Sequence, residues 1–212
     1  MITKEIYDEY LENLISGNRP RCREIVENLM AEEVDIKDLY INLFQTSMYQ
    51  VGEMWESNQI SVATEHLATS ITESLMALIY PNIFSKEHIG KKAIISCIAN
   101  EYHQIGARMV ADIFEINGWD GYFLGANTPI KDLINYIDSK NPDIVCFSLS
   151  VYFNISELML TLETVKSRWP KLTVLLGGQA FRWGGKELAE KYPKVFYIDS
   201  LNKLENFIKE MS

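Results

Sequence analysis

Basic charge is scarce in this 212-residue chain: 20 Lys and Arg stand against 29 Asp and Glu, a formal net charge of −9. Nucleic acid calls for a basic footprint, and an anionic membrane surface for clustered Lys and Arg, so neither is an expected partner. Long apolar runs are missing as well; none reaches the roughly 18 residues of a membrane span. The N-terminus, MITKEIYDEYLENL, is charged and amphipathic, unlike a signal peptide. Three cysteines occur, Cys22, Cys97 and Cys146, far apart in sequence. They make no disulfide framework and no zinc pattern, and Cys97 and Cys146 lie in apolar runs where a buried free thiol is the ordinary reading. There is no repeat and no low-complexity tract. No G-x-G-x-x-G follows the first strand-like run, which leaves a dinucleotide site unsupported. The expectation is a cytoplasmic globular protein, with an apolar fraction of 47% sufficient for a sizeable core.

What is present falls into two halves. Residues 1–84 carry helical patterns only, with helices expected at Thr3–Ser16, Arg19–Glu32, Ile36–Ser57 and Val62–Phe84. Asn18-Arg19-Pro20 places proline early in the second helix, Ser57-Asn58-Gln59 breaks the third, and Ser61 can cap the fourth. Tyr40, Leu43, Phe44, Met48, Val51 and Trp55 recur at helical spacing. Four such helices with short connections read as an antiparallel bundle. Ser85–Lys92 is polar and reads as a linker. The period then changes. Strands are expected at Ala93–Ala99, Gly121–Leu124, Ile144–Ser148, Thr173–Leu176 and Val195–Ile198. Helices alternate with them at Gln104–Asn117, Ile130–Ser139, Ile155–Trp169 and Gly185–Lys191, and a last one runs over Leu201–Met211. That alternation implies a five-stranded parallel sheet of the doubly wound, Rossmann-like kind. The expected division is a cap over 1–85, a linker over 86–91 and the α/β domain over 92–212.

The informative histidine is His103, in Glu101-Tyr102-His103-Gln104-Ile105-Gly106, immediately after the first strand. In open α/β sheets, ligands bind at the carboxyl ends of strands. Neutral imidazole is a common ligand for cobalt, iron, zinc and copper, and a ligating His usually gives its other ring N–H to a carboxylate. Glu101 is placed to be that carboxylate, and Gly106 lets something bulky approach. Alone, His103 reads more readily as a surface loop histidine than as a ligand. Two further strand ends join it: Ser148-Leu149-Ser150, with 41 residues between Gly106 and Ser148, and Gly177-Gly178, with 26 residues between Ser150 and Gly177.

This set resembles the cobalamin-binding signature D-x-H-x-x-G, S-x-L, G-G. That signature marks the base-off, His-on B12 domain shared by methionine synthase, mutases, corrinoid methyl carriers and B12 photoreceptors. The resemblance covers about residues 90–212 and implies a flavodoxin-like sheet. It makes His103 the lower axial cobalt ligand and Glu101 its partner, while Ser148, Ser150, Gly177 and Gly178 line the channel for the nucleotide tail. Glu101 replaces the usual Asp, and Ser150 stands where Leu is common. In the bundle, Trp55 is followed ten residues later by Glu65-His66. This is similar to CarH-type photoreceptors, in which such residues lie over the upper face of the cofactor. The resemblance implies that Trp55 and Glu65 meet the adenosyl group, and that His66 captures cobalt once light has broken the Co–C bond. Read without it, Trp55 is bundle core and Glu65-His66 a solvated pair. A zinc site from Glu65, His66 and His103 is a weaker alternative.

The implied function is a light sensor rather than an enzyme. Adenosylcobalamin would be held base-off and His-on between bundle and α/β domain, with methylcobalamin as the other cofactor. CarH-type regulators carry an N-terminal DNA-binding helix-turn-helix, whereas this chain begins with the bundle. Output is therefore expected through a partner protein or self-association, or the chain is a sensor fragment. The alternative is a corrinoid methyl carrier; its lower-ligand loop more often reads Asp-x-His-Asp-x-Gly-Lys, where this chain has Gln104 and Ala107. Tyr152 and Phe153 either flank the corrin or pack at the rim. Arg19, Arg21 and Arg23 read as a solvated face, and His88 has no partner in view.

Overall fold

The computed structural model describes residues 1–83 and 87–211. The chain divides into two compact units, Met1–Asn82 and Ile83–Ser212.

The first unit is helical. Helix α1 spans Lys4–Ser16, capped by Thr3 and stopped by Gly17 at φ +76°. Helix α2 spans Arg19–Ala31, with Asn18 as its cap and proline in the first turn. The stretch expected as one helix is three consecutive pieces: α3 (Ile36–Asp38), a π-helical segment (Leu39–Gln45) and α4 (Thr46–Glu56). At the end of the π segment the Thr46 hydroxyl donates to the Ile41 carbonyl at 2.8 Å. Leu43, Phe44, Ser47 and Val51 are buried, whereas Trp55, which the spacing puts on the apolar stripe, is 44% exposed. Helix α5 (Val62–Ile79) starts at Ser61, whose Oγ accepts from the Thr64 N–H at 3.1 Å. It gives way to a 3-10 turn at Tyr80–Asn82 instead of continuing to Phe84, because Pro81 has no N–H for the helical ladder. Phe84, Ser85 and Lys86, which the sequence reading put at the end of the fourth helix and in the linker, lie outside the described residues. Helix α1 packs on α2, α4 and α5. The rings of Tyr10 and Tyr40 lie 6.0 and 6.1 Å from that of Phe44 in a fully buried core.

The second unit alternates strand and helix: β1 (Lys92–Cys97), α6 (Ile105–Ile116), β2 (Asp120–Phe123), α7 (Ile130–Lys140), β3 (Ile144–Ser148), α8 (Ile155–Arg168), β4 (Thr173–Gly177), α9 (Leu188–Lys191), β5 (Val195–Tyr197) and α10 (Leu201–Met211). Every pairing is parallel and the strand order is β2-β1-β3-β4-β5. The direction of winding reverses between β1 and β3, and a crevice opens at such a switch point. Side chains alternate across the strands. Ile94, Val145, Phe147, Val174 and Leu176 face a core shared with Leu133, Ile137, Leu158, Leu162 and Val165 of α7 and α8. Helix α6 packs on β1, β2 and α10. The helix expected at Gly185–Lys191 is a single turn from Leu188, since Gly184 (φ +149°) and Gly185 (φ +90°) hold the chain out of the helical region.

The segment entering this unit is pinned beside the start of β2. The Ile89 N–H donates to the Gly118 carbonyl at 2.8 Å, and the Asp120 N–H to the Lys91 carbonyl at 2.8 Å. His88 has a partner after all: its Nδ1 lies 2.6 Å from Asp120 Oδ1. Glu115 Oε1 nearby accepts from the Gly121 N–H at 2.7 Å, while its Oε2 is buried without a hydrogen-bond partner among the described residues. Burial pushes the Glu115 carboxyl above its usual range, against the opposing pull of the Gly121 amide and His88. A raised carboxyl favours the fold below the unfolded value of about 4.3, and that contribution is lost as pH rises through the folded value. Glu115→Gln keeps the acceptor oxygen without the buried charge. Urea denaturation should therefore show this variant gaining on the wild type between pH 4 and pH 7.

Candidate cofactor-binding site

The register fixes which strand ends are neighbours. Cys97 pairs with Ser148, and Ser148 with Gly177, so three of the strands finish in one row. Beyond that row, the connection 98–104 leaves β1 and the connection 149–154 leaves β3, one on each side of the switch point.

Glu101 joins them. Its side chain is fully buried. Oε1 accepts from the His103 N–H at 3.0 Å and lies 2.7 Å from His103 Nδ1; Oε2 accepts from the Ser150 N–H at 2.8 Å and the Val151 N–H at 2.9 Å. Burial alone would push this carboxyl up, but the imidazole and the three backbone amides outweigh it and hold it below its usual range. An ionised carboxylate can only accept, so Nδ1 carries the ring proton. That tautomer assigns the lone pair, and any metal, to Nε2. The His103 side chain is 57% exposed.

Cys97 lies beneath the same loop and donates from Sγ to the His103 carbonyl at 3.7 Å. Burial foremost, then the Glu101 charge, pushes its thiol up to about 12, so it stays a neutral donor rather than a thiolate ligand. No group of three or more His, Cys, Asp or Glu able to hold a metal occurs among the described residues. A single axial imidazole on a cofactor metal requires none.

The glycines separate. A Cβ on Gly178, which has φ +112°, would stand 2.1 Å from the Leu149 carbonyl oxygen, so the backbone packing of the chain itself demands glycine there. A Cβ on Gly177 would meet only the Ile198 carbonyl, at 3.2 Å. At Gly106 a Cβ would meet nothing of the protein within 4 Å, so no contact within the chain accounts for that glycine. Tyr102 after β1, Tyr152 and Phe153 after β3, and Trp183 after β4 are all exposed.

Sequence reasoning missed the role of the third connection, after β2. Asn127 Oδ1 accepts from the Asn100 N–H at 2.8 Å, the Asn127 N–H donates to the Glu101 carbonyl at 2.8 Å, and Gln104 Oε1 accepts from the Ala126 N–H at 3.1 Å. Asn154 Nδ2 reaches the Asn100 carbonyl at 3.0 Å. The available signal was two asparagines three and four residues past strand ends, a residue type that tolerates the left-handed backbone; Asn100 has φ +65° and Asn127 φ +50°.

In the helical unit, Trp55 ends α4 and Glu65-His66 opens α5, so the three flank one connection, 57–61. Glu65 Oε2 lies 2.7 Å from His66 Nδ1, and Glu65 Oε1 accepts from the Thr69 hydroxyl at 3.0 Å. The Glu65 side chain is 17% exposed and that of His66 74%. Trp55 is not bundle core.

Family models described as B12 binding domain match residues 91–200 and residues 6–80. The chain belongs to the B12-binding domain family, and it is a cobalamin-binding protein. It is 25% identical over 167 residues to the HTH-type transcriptional repressor CarH of Myxococcus xanthus, covering 78% of this chain and 54% of that one. It is 26% identical over 148 residues to trimethylamine corrinoid protein 1 of Methanosarcina acetivorans, covering 68% of each. The structure of the monomethylamine corrinoid protein of Methanosarcina barkeri superposes with a TM-score of 0.84 over 100% of both chains at 15% identity, a likeness of fold. The chain spans from 16% to 68% of the length of the curated relatives it matches. No described helix is long and apolar enough to cross a membrane.

Proposed function

We propose that this protein is a cobalamin-dependent light sensor that holds adenosylcobalamin by His103 and signals through a partner protein or through self-association. The observation that carries the reading is Trp55: a large aromatic left exposed in a bundle that buries Tyr10, Tyr40 and Phe44 completely, with an exposed His66 across the same connection.

The cofactor, when bound, supplies a Co–C bond to its upper ligand that light can break. The protein does the rest. His103 presents Nε2 to cobalt, and Glu101 keeps Nδ1 protonated and the ring fixed. Ser148, Ser150 and Gly177 line the path of the nucleotide tail, whereas Gly178 holds the β4 end against Leu149 so that the path keeps its shape. Gly106 leaves room for the bulk of the group. Trp55 would wall the adenosyl group, Glu65 would accept a hydrogen bond from it, and His66 would offer cobalt a second imidazole once the Co–C bond is broken.

The test is the visible spectrum of the protein reconstituted with adenosylcobalamin in darkness and then illuminated. A stable dark complex and a photoproduct that His66→Ala alters are expected. A photoproduct identical to that of free cofactor, indifferent to His66, overturns the sensor reading. His103→Ala should abolish the base-off, His-on spectrum; its retention overturns the axial assignment.

A methyl carrier is the second reading, favoured by the balanced coverage of the trimethylamine corrinoid protein. It predicts methyl uptake on the reduced cofactor and transfer to a partner, with no dependence on Trp55 or His66.

A further inference from the structure

We propose that Asn127, in the connection after β2, is a positioning residue for the His103 imidazole. The inference rests on His103 as the cobalt ligand. His103 itself lies between β1 and α6, and Glu101 aims it. What aims Glu101 is the peptide chain on either side of it. Asn127 grips both sides: Oδ1 takes the N–H of Asn100, and its own N–H takes the carbonyl of Glu101. The neighbouring Ala126 N–H reaches Gln104 Oε1 on the far side of His103. The ligand loop is thus held at residues 100, 101 and 104 by three polar groups of one short segment, 126–127. The β3 side meets it at the Glu101 carboxylate, through the Ser150 and Val151 amides, and at the Asn100 carbonyl, through Asn154.

The geometry around Asn127 makes its side chain separable from its backbone. At φ +50° the residue sits where glycine is comfortable, so Asn127→Gly removes Oδ1 without introducing strain. The Asn127 N–H bond to Glu101 survives in the variant, and the Asn100 N–H is exposed enough to find water. The fold is therefore retained while the aim of Glu101 is loosened.

The experiment is a double-mutant cycle with His103→Ala, read by cobalamin affinity and by the His-on spectrum. Asn127→Gly should weaken cobalamin binding about three- to ten-fold, the range of one hydrogen bond acting on a ligand's outer partner. It should also lower the His-on share at saturation. In the His103→Ala background the same change should leave affinity within about two-fold, because the imidazole it positions is gone. Asn127→Asp, which keeps the acceptor, should bind more tightly than Asn127→Gly. Equal weakening in both backgrounds would assign Asn127 to the fold alone and overturn the proposal; so would wild-type binding by Asn127→Gly. Should His103→Ala by itself keep the His-on spectrum, the axial assignment fails and this inference with it. Loss of that spectrum together with an indifferent Asn127→Gly removes only the positioning role.

Discussion

Glu101→Ala should cost the second unit about 3–5 kcal/mol, the scale of breaking a buried charged pair by deleting one partner. The residue is fully buried and serves four N–H donors with two oxygens. Its removal strands the amides of His103, Ser150 and Val151, each a desolvation loss of about 1–3 kcal/mol if water does not enter. It also frees the His103 ring from its tautomer, so cobalamin affinity should fall about 10- to 100-fold in whatever fraction folds. Glu101→Gln is an informative neighbour. It is nearly isosteric, yet its amide turns two donors toward groups that are themselves donors, and so it should be closer to alanine than to the wild type. Urea denaturation of the cofactor-free protein checks the first number and a cobalamin titration the second. A loss below about 1 kcal/mol for Glu101→Ala would show that the carboxylate does not tie the ends of β1 and β3 together.

Gly178→Ala should be comparably severe, at about 4 kcal/mol or outright failure to fold. Its Cβ would lie 2.1, 2.7 and 2.8 Å from the carbonyl oxygen, carbonyl carbon and nitrogen of Leu149, and its φ of +112° disfavours any side chain. Leu149 cannot give way, because its N–H donates to the Gly177 carbonyl at 2.9 Å and its carbonyl accepts from Ala180 at 3.2 Å. Gly177→Ala meets one carbonyl at 3.2 Å without a left-handed backbone, and should cost below about 1 kcal/mol. The pair separates two roles that the dipeptide conflates. If Gly177→Ala folds normally but binds cobalamin poorly, the first glycine serves the tail and the second serves the sheet. Thermal melting of both variants, alone and with cofactor, reads this directly.

The doubly wound sheet was legible because its signals are local: apolar strand runs such as Ile144–Ser148 punctuated by helices. The three strand-end motifs were legible because their chemistry is carried by residue type, and the parallel register then brings Cys97, Ser148 and Gly177 into one row. What escaped is what depends on neighbours distant in sequence. Nothing local says that Ser150 and Val151 send their amides to Glu101, about fifty residues earlier, or that Gly178 is required by the backbone of Leu149. His88 lacked a partner because Asp120 lies 32 residues on, at the start of another strand. Trp55 shares the helical face of Val51 by spacing, but it stands one residue before the end of α4, past the last buried position of that helix, and is left exposed there.

The hold of Glu101 on His103 also bears on how the cofactor arrives. A loop histidine with a free ring would lose its rotational freedom at the moment of ligation, and affinity would be reduced by that lost entropy. Here the ring is oriented when the domain folds, through a bond from Nδ1 to a carboxylate that is itself immobilised by three backbone amides. The ordering cost is thus moved from binding to folding. Association with cobalamin should accordingly proceed as the docking of a rigid group into a prepared crevice, with selectivity for the ligand expressed in how slowly it leaves.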